Sequence, residues 1–234
     1  DVYLSSAPIV YYLAQTNAEH KWKNYKVIRL MIKIGITGDI GSGKSFVASQ
    51  FGYPVFNADK EVKKIYKNSK NCFIKLKKNL PKFITSYPIK KKDLKKAVLE
   101  NKNNLKKIEK IVHPEVQKSM KKFIKINKSE KILVFDIPLL MENKIYKKNY
   151  ILVYVDAKKK DINKKLRKRK NYDQKIIKKL RKLQLPLEIK KKKSDYLIKN
   201  DFKRLNLKKS VKILKNKILY KNERSRPWYR NNWF

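Results

Sequence analysis

The chain has 234 residues, 41% of them apolar, and a formal net charge of +44 from 63 Lys and Arg against 19 Asp and Glu. That apolar share is enough for a core and excludes a wholly disordered chain; a single cysteine, Cys72, excludes an intramolecular disulfide framework and a cysteine-cluster metal site. Lysine recurs in almost every segment outside residues 35–52, so the charge reads as filled solvated positions rather than a nucleic-acid footprint, although such a field draws polyanionic ligands.

Residues 1–30 contain APIVYYLA, too short to cross a membrane and not preceded by a basic region, so neither a span nor a signal peptide is expected. These residues read as an N-terminal extension outside the core, because MIKIGIT from Met31 makes a natural first strand. The five glycines of the chain stand at 35, 38, 41, 43 and 52, and none follows Gly52. Within them GDIGSGKS fits G-x-x-x-x-G-K-[ST], between an apolar strand and the helix start KSFVASQF. This predicts a phosphate-binding loop for a nucleoside triphosphate. Its ligands would be Gly38, Gly41, Ser42, Gly43, Lys44, Ser45 and Phe46, with Lys44 reaching the β/γ-phosphates and Ser45 holding Mg²⁺.

YPVFNADKEVKKIY reads as a short strand turning into a helix at Asp59. Residues 60–127 contain no strand pattern; their apolar residues fall at helical spacing, broken by Pro114, and predict a helical insertion. KILVFDIPLL and YILVYVDA lack polar alternation, as strands of a parallel sheet covered on both faces do. Residues 158–186 read as a helical, intensely basic lid, SDYLIKND as a last strand and RLNLKKSVKILKNKILY as a last helix. The expected fold is α/β, a P-loop NTPase fold with a parallel sheet. A kinase domain spans 31–220 within it, and a peripheral tail follows at 221–234.

Asp59, at the C-terminal edge of the sheet where ligands of parallel sheets bind, reads as a catalytic carboxylate or as an N-cap. Asp136, ending its apolar strand, reads as an acid bonding Mg²⁺-bound water or as a loop residue. No N-K-x-D tetrapeptide is present, which argues against a GTPase. The insertion and lid instead suit a small-molecule kinase, with a nucleic-acid-binding NTPase as a remote alternative.

An ordered series of motifs carries a resemblance: GDIGSGKS at 38–45, NAD at 57–59, IVHPEV at 111–116, DIPLLMEN at 136–143, VYVDA at 153–157, QLPLEIK at 184–190 and SDYLIKN at 194–200. In this series the chain resembles the dephospho-CoA kinase family over about residues 31–215. The resemblance implies transfer of the ATP γ-phosphoryl, with Mg²⁺, to the ribose 3′-hydroxyl of dephospho-CoA, the last step of coenzyme A synthesis; another nucleotide or sugar acceptor is the alternative. It implies that Asp59 is the base and that His113 lies near the acceptor, and Lys63 is counted with His113 as an acceptor-site candidate. Counting from Asp156 puts Lys165 at the position of the family's lid arginine; Arg169 keeps the second lid arginine, and Arg167 lies between them. Lysine is a point charge that cannot grip phosphate bidentately, which leaves Lys165, Arg167 or Arg169 as the working contact. Asn57 and Phe46 depart from the family pattern, which has an acid and a hydroxyl residue there. A cytoplasmic monomer or weak homo-oligomer, with no specific nucleic acid and no membrane partner, completes the expectation.

Overall fold

In a computed structural model, residues 31–138, 140–142, 150–169 and 172–224 are described, and the stretches expected to be extension (1–30) and distal tail (225–234) lie outside them. Five strands form one parallel sheet: β1 (Ile32–Gly38), β2 (Val55–Asn57), β3 (Ile132–Asp136), β4 (Tyr150–Asp156) and β5 (Tyr196–Lys199). Their order is β2-β3-β1-β4-β5, which sets β1 between β3 and β4 and makes its C-terminal end the middle of one sheet edge. The pairing of Asn57 with Asp136 brings the ends of β2 and β3 to that edge as well.

The expected unbroken apolar strands are present because both faces are covered. On one face Ile34, Ile36 and Val134 pack against Val47 of α1 (Lys44–Gln50), Phe51 at its C-cap, and Val211 and Ile218 of α9 (Arg204–Arg224). On the other face Phe56, Leu133 and Phe135 meet Met120 and Phe123 of α5 (Lys102–Ile126). Burying each such side chain contributes roughly 1.5–3 kcal/mol.

The insertion comprises α2 (Ala58–Asn68), α3 (Lys70–Asn79), α4 (Lys91–Glu100) and α5. It has a core of its own, built on Ile65, Cys72, Leu76, Leu94, Ala97, Ile108 and Val112. Helix α5 runs through Pro114 without ending, contrary to expectation. Pro114 and Lys110 are both exposed residues, so the one helix hydrogen bond that the proline removes, to the Lys110 carbonyl, lies on the outer side of α5 and away from its packed face. The break falls instead at Asn101, whose side chain accepts from the Asn103 N–H and caps α5.

The basic segment is likewise not continuous: α6 (Lys159–Arg167), α7 (Gln174–Lys182) and α8 (Leu187–Lys192) are separate helices. The last helix also extends past the expected boundary at 220, through Arg224.

Candidate active site

The loop between β1 and α1 is held open by contacts that leave no room for side chains. Gly41 has φ +85°, and a Cβ there would lie 2.9 Å from Leu166 of α6. Gly43, the N-cap of α1, has φ +93°, and its Cβ would lie 2.4 Å from Asn200 Nδ2. Both positions therefore require glycine on conformation and on space. A glycine N-cap supplies no side-chain acceptor to the first turn; the Phe46 N–H donates to the Gly43 carbonyl at 3.1 Å, which leaves the Lys44 and Ser45 N–H groups for an anion.

Asn200, beyond the end of β5, is the clamp of this loop. It is buried; its Nδ2 donates to Ser42 O at 2.7 Å, its Oδ1 accepts from Phe202 N at 2.8 Å and its own N–H donates to Asp156 O at 2.7 Å. Beside it the Ser42 hydroxyl is buried without a partner among the described residues.

Lys44 folds back on the loop, its Nζ donating to Asp39 O at 2.7 Å and to Gly38 O at 3.3 Å. Burial lowers its pKa to about 8, reinforced by the charge of Lys190 and opposed by Asp136, Asp39 and Asp59. Asp136 is buried at the end of β3 and accepts from Asn57 Nδ2 at 2.6 Å. Desolvation pushes its carboxyl above the usual range, with the neighbouring Asp59 charge acting the same way. The Ser45 hydroxyl, Lys44 and Asn57 favour the ionised form. The Asn57 departure thus has a visible use: its amide donates to Asp136, which a carboxylate cannot do.

Asp59 lies inside the first turn of α2 and is exposed. Asn57 is the N-cap, accepting from the Lys60 N–H at 2.9 Å, so the N-cap alternative for Asp59 is overturned. The charge of Asp59 nevertheless acts on both Lys44 and Asp136, which puts it at the same corner. Lys63 and His113 are exposed on α2 and α5. Lys165, Arg167 and Arg169 are all exposed, and Lys165 reaches over the Phe202 ring, 5.1 Å from its centroid, beside the loop. Phe46, in the first turn of α1, lies under the Arg204 guanidinium at 6.0 Å.

The residues that sequence reasoning missed are those that tie elements together. Glu142 Oε1 accepts from Lys190 Nζ at 2.6 Å and from the Leu185 N–H at 2.9 Å, with both acid and lysine almost wholly buried. This clasp joins the segment after β3 to the end of the basic helices. Asp39 pairs with Arg181 at 3.2 Å in a second such link. Glu142 and Lys190 stand inside motifs already quoted, DIPLLMEN and QLPLEIK, but no one-dimensional spacing pairs residues so far apart in the chain.

Ser45 and Asp136 offer hard oxygen donors, the type Mg²⁺ takes alongside substrate phosphates. Among the described residues no group of three or more His, Cys, Asp or Glu side chains is built to hold a metal alone. The donor set therefore fits a cation that is shared with a bound triphosphate.

A family model described as dephospho-CoA kinase matches residues 32–205. A dephospho-CoA kinase of Wolbachia pipientis wMel is 36% identical over 170 residues, 70% of this chain and 87% of the relative. That of Fusobacterium nucleatum is 34% identical over 182 residues, 72% of this chain and 89% of the relative. Among solved structures, a Thermus thermophilus protein superposes with a TM-score of 0.66 at 26% identity, covering 80% of this chain and 97% of its own. A dephospho-CoA kinase from Campylobacter jejuni shares the fold, with a TM-score of 0.55 at 23% identity over 80% and 96% of the two chains.

Proposed function

We propose a division of labour among named side chains on the premise that this chain belongs to the dephospho-CoA kinase family. The protein is a kinase that phosphorylates dephospho-CoA in coenzyme A synthesis. ATP binds with its phosphates wrapped by the amides of Gly41, Ser42 and Gly43, and Lys44 leaves its carbonyl partners to pair with them. Ser45 and Asp136 would hold Mg²⁺ together with the bound triphosphate, and the ion would supply charge neutralisation there. Asp59 accepts the proton of the ribose 3′-hydroxyl as that oxygen bonds to the γ-phosphorus and the bond to the ADP oxygen breaks. The products are coenzyme A, ADP and a proton.

One observation supports this role for Asp59: it stands in the first turn of α2, two residues beyond Asn57, whose amide donates to Asp136, and its charge acts on both Lys44 and Asp136. His113 and Lys63 serve the acceptor, whose phosphates suit cationic partners. Lys165 supplies lid charge, and Arg169 a second cation at the open end of α6. Closure of the basic helices excludes water, which would otherwise take the phosphoryl group. No helix among the described residues is long and apolar enough to cross a membrane. We place the protein in the cytoplasm as a monomer or weak homo-oligomer, without a specific nucleic-acid partner.

The test is ADP release from ATP and Mg²⁺ with and without dephospho-CoA, and the mass of the product. Release that depends on dephospho-CoA and yields coenzyme A supports the reading. Release without it, or a preference for another hydroxyl acceptor, overturns the substrate. The described residues fall in one compact unit beginning at Met31, so a chain starting there is expected to retain the activity.

A further inference from the structure

The phosphate loop carries a carboxylate whose charge opposes the ligand it is shaped for. Asp39 follows Gly38 directly, and its side chain is only 10% exposed. Its Oδ1 accepts from the Ile40 N–H at 2.6 Å, and its backbone carbonyl accepts from Lys44. Its Oδ2 is taken by Arg181 Nη2 at 3.2 Å, so one residue holds Lys44 on its carbonyl and Arg181 on its carboxylate. A buried carboxylate beside incoming phosphates is strongly unfavourable unless a cation offsets it.

Arg181 lies on α7, yet it is not a solvated lid residue like Arg167 and Arg169. Its guanidinium reaches Asn163 Oδ1 of α6 at 3.5 Å, and its Nε is buried with no hydrogen-bond partner among the described residues. Guanidinium has five donors in a planar fork. Here Nη2 makes the hydrogen bonds described and the buried Nε makes none. An unmet donor on a cation, two contacts away from the phosphate-binding lysine, is a group lacking an acceptor.

We propose that Arg181 is a phosphate contact held in reserve by Asp39. In the nucleotide-free protein the carboxylate parks the guanidinium at the loop, and on ATP binding Arg181 turns its donors from carboxylate to phosphate oxygen while its charge stays between the two. The exchange couples α7, and with it the lid, to occupancy of the loop. It rests on the ATP-binding reading above. It adds a working cation outside the set Lys165, Arg167 and Arg169.

A double-mutant cycle on the full chain tests the exchange, with ATP and Mg²⁺ affinity read by calorimetry. Arg181→Gln is expected to weaken ATP about tenfold, with Arg181→Lys recovering only part because a fork is lost. Asp39→Asn frees Arg181 and is expected to tighten ATP about threefold to tenfold. That gain shrinks when Arg181 is already glutamine. If Asp39 merely repels phosphate and Arg181 merely screens it, removing Arg181 bares the carboxylate and the gain from Asp39→Asn grows instead. The sign of the coupling therefore decides, and a larger gain in the Arg181→Gln background overturns the exchange. So does an unchanged affinity in Arg181→Gln. Should Asp39→Asn not fold, Asp39→Ser keeps an oxygen for the Ile40 N–H and is read in the same cycle. Failure of the unaltered protein to bind ATP would instead remove the nucleotide reading and the exchange together.

Discussion

In the phosphate loop, Ser42 is 1% exposed and Asn200 4%, and Lys44, Ser42 and Asn200 are each held by a hydrogen bond to a specific backbone oxygen. In the insertion, Asp59, Lys63 and His113 stand exposed on helices that enclose a separate core around Cys72 and Leu76. The first region is built before its ligand arrives, and the second presents charges on a scaffold that folds around its own apolar centre. Helix α5 joins them: its Ile108 and Val112 belong to the insertion core, whereas Met120 and Phe123 pack on the sheet. A preorganised donor side and a surface-mounted acceptor side suit a kinase, because stabilising phosphoryl charge needs fixed dipoles and admitting a large acceptor needs open surface.

The comparison breaks most sharply at Asp59, the one acceptor-side residue assigned to the chemistry. Asp59→Asn is expected to lower kcat on the order of 10³-fold while ATP affinity, measured by calorimetry, holds. A loss of ATP binding, or an unchanged kcat, would put the residue elsewhere. On the donor side the largest structural effect is expected at the clasp. Lys190→Met leaves Glu142 buried without its cation, and urea unfolding should show a loss of about 3–5 kcal/mol. An equivalent change at exposed Lys63 should stay within roughly 0.5 kcal/mol.

What was legible in the sequence divides along the same line. The loop could be read because glycine, lysine and serine at fixed spacing between strand and helix have one common use, and the parallel sheet because strands buried on both faces lose alternation. The clasp could not, since Glu142 and Lys190 become neighbours only after β3, β4 and the basic helices are placed. Pro114 misled for a local reason: its cost depends on which side of the helix loses the hydrogen bond, which a sequence does not state. The N-cap alternative for Asp59 falls to Asn57, two residues earlier, because both are good caps and only the backbone chooses between them.

Lys44 lets the donor side be probed by pH. Its folded-state pKa of about 8 lies below the 10.5 of an unhindered lysine, so the folded chain binds protons less tightly and burying the charged amine costs stability. That cost is complete below pH 8 and fades as pH rises toward 10.5. Lys44→Met should therefore stabilise the ligand-free protein at pH 7 by at most ~3 kcal/mol, and by progressively less in alkali, while abolishing tight ATP binding. In the unaltered protein kcat/KM for ATP should fall as pH rises through about 8. A flat profile to pH 9.5 would show that Lys44 keeps its proton in the free enzyme.

The smallest effect is expected at His113, and it separates the two regions most cleanly. The side chain is exposed on α5, on the part of that helix that belongs to the insertion rather than the sheet. If it touches only the acceptor, and equally in ground and transition states, His113→Ala removes uniform binding. KM for dephospho-CoA then rises about threefold to tenfold while kcat, KM for ATP and thermal stability stay put. A fall in kcat with unchanged KM would move His113 into the chemistry, and with it the boundary between a rigid donor site and an adaptable acceptor surface. A shift in KM for ATP would show that α5, which packs on the insertion core at one end and the sheet at the other, carries information from insertion to sheet.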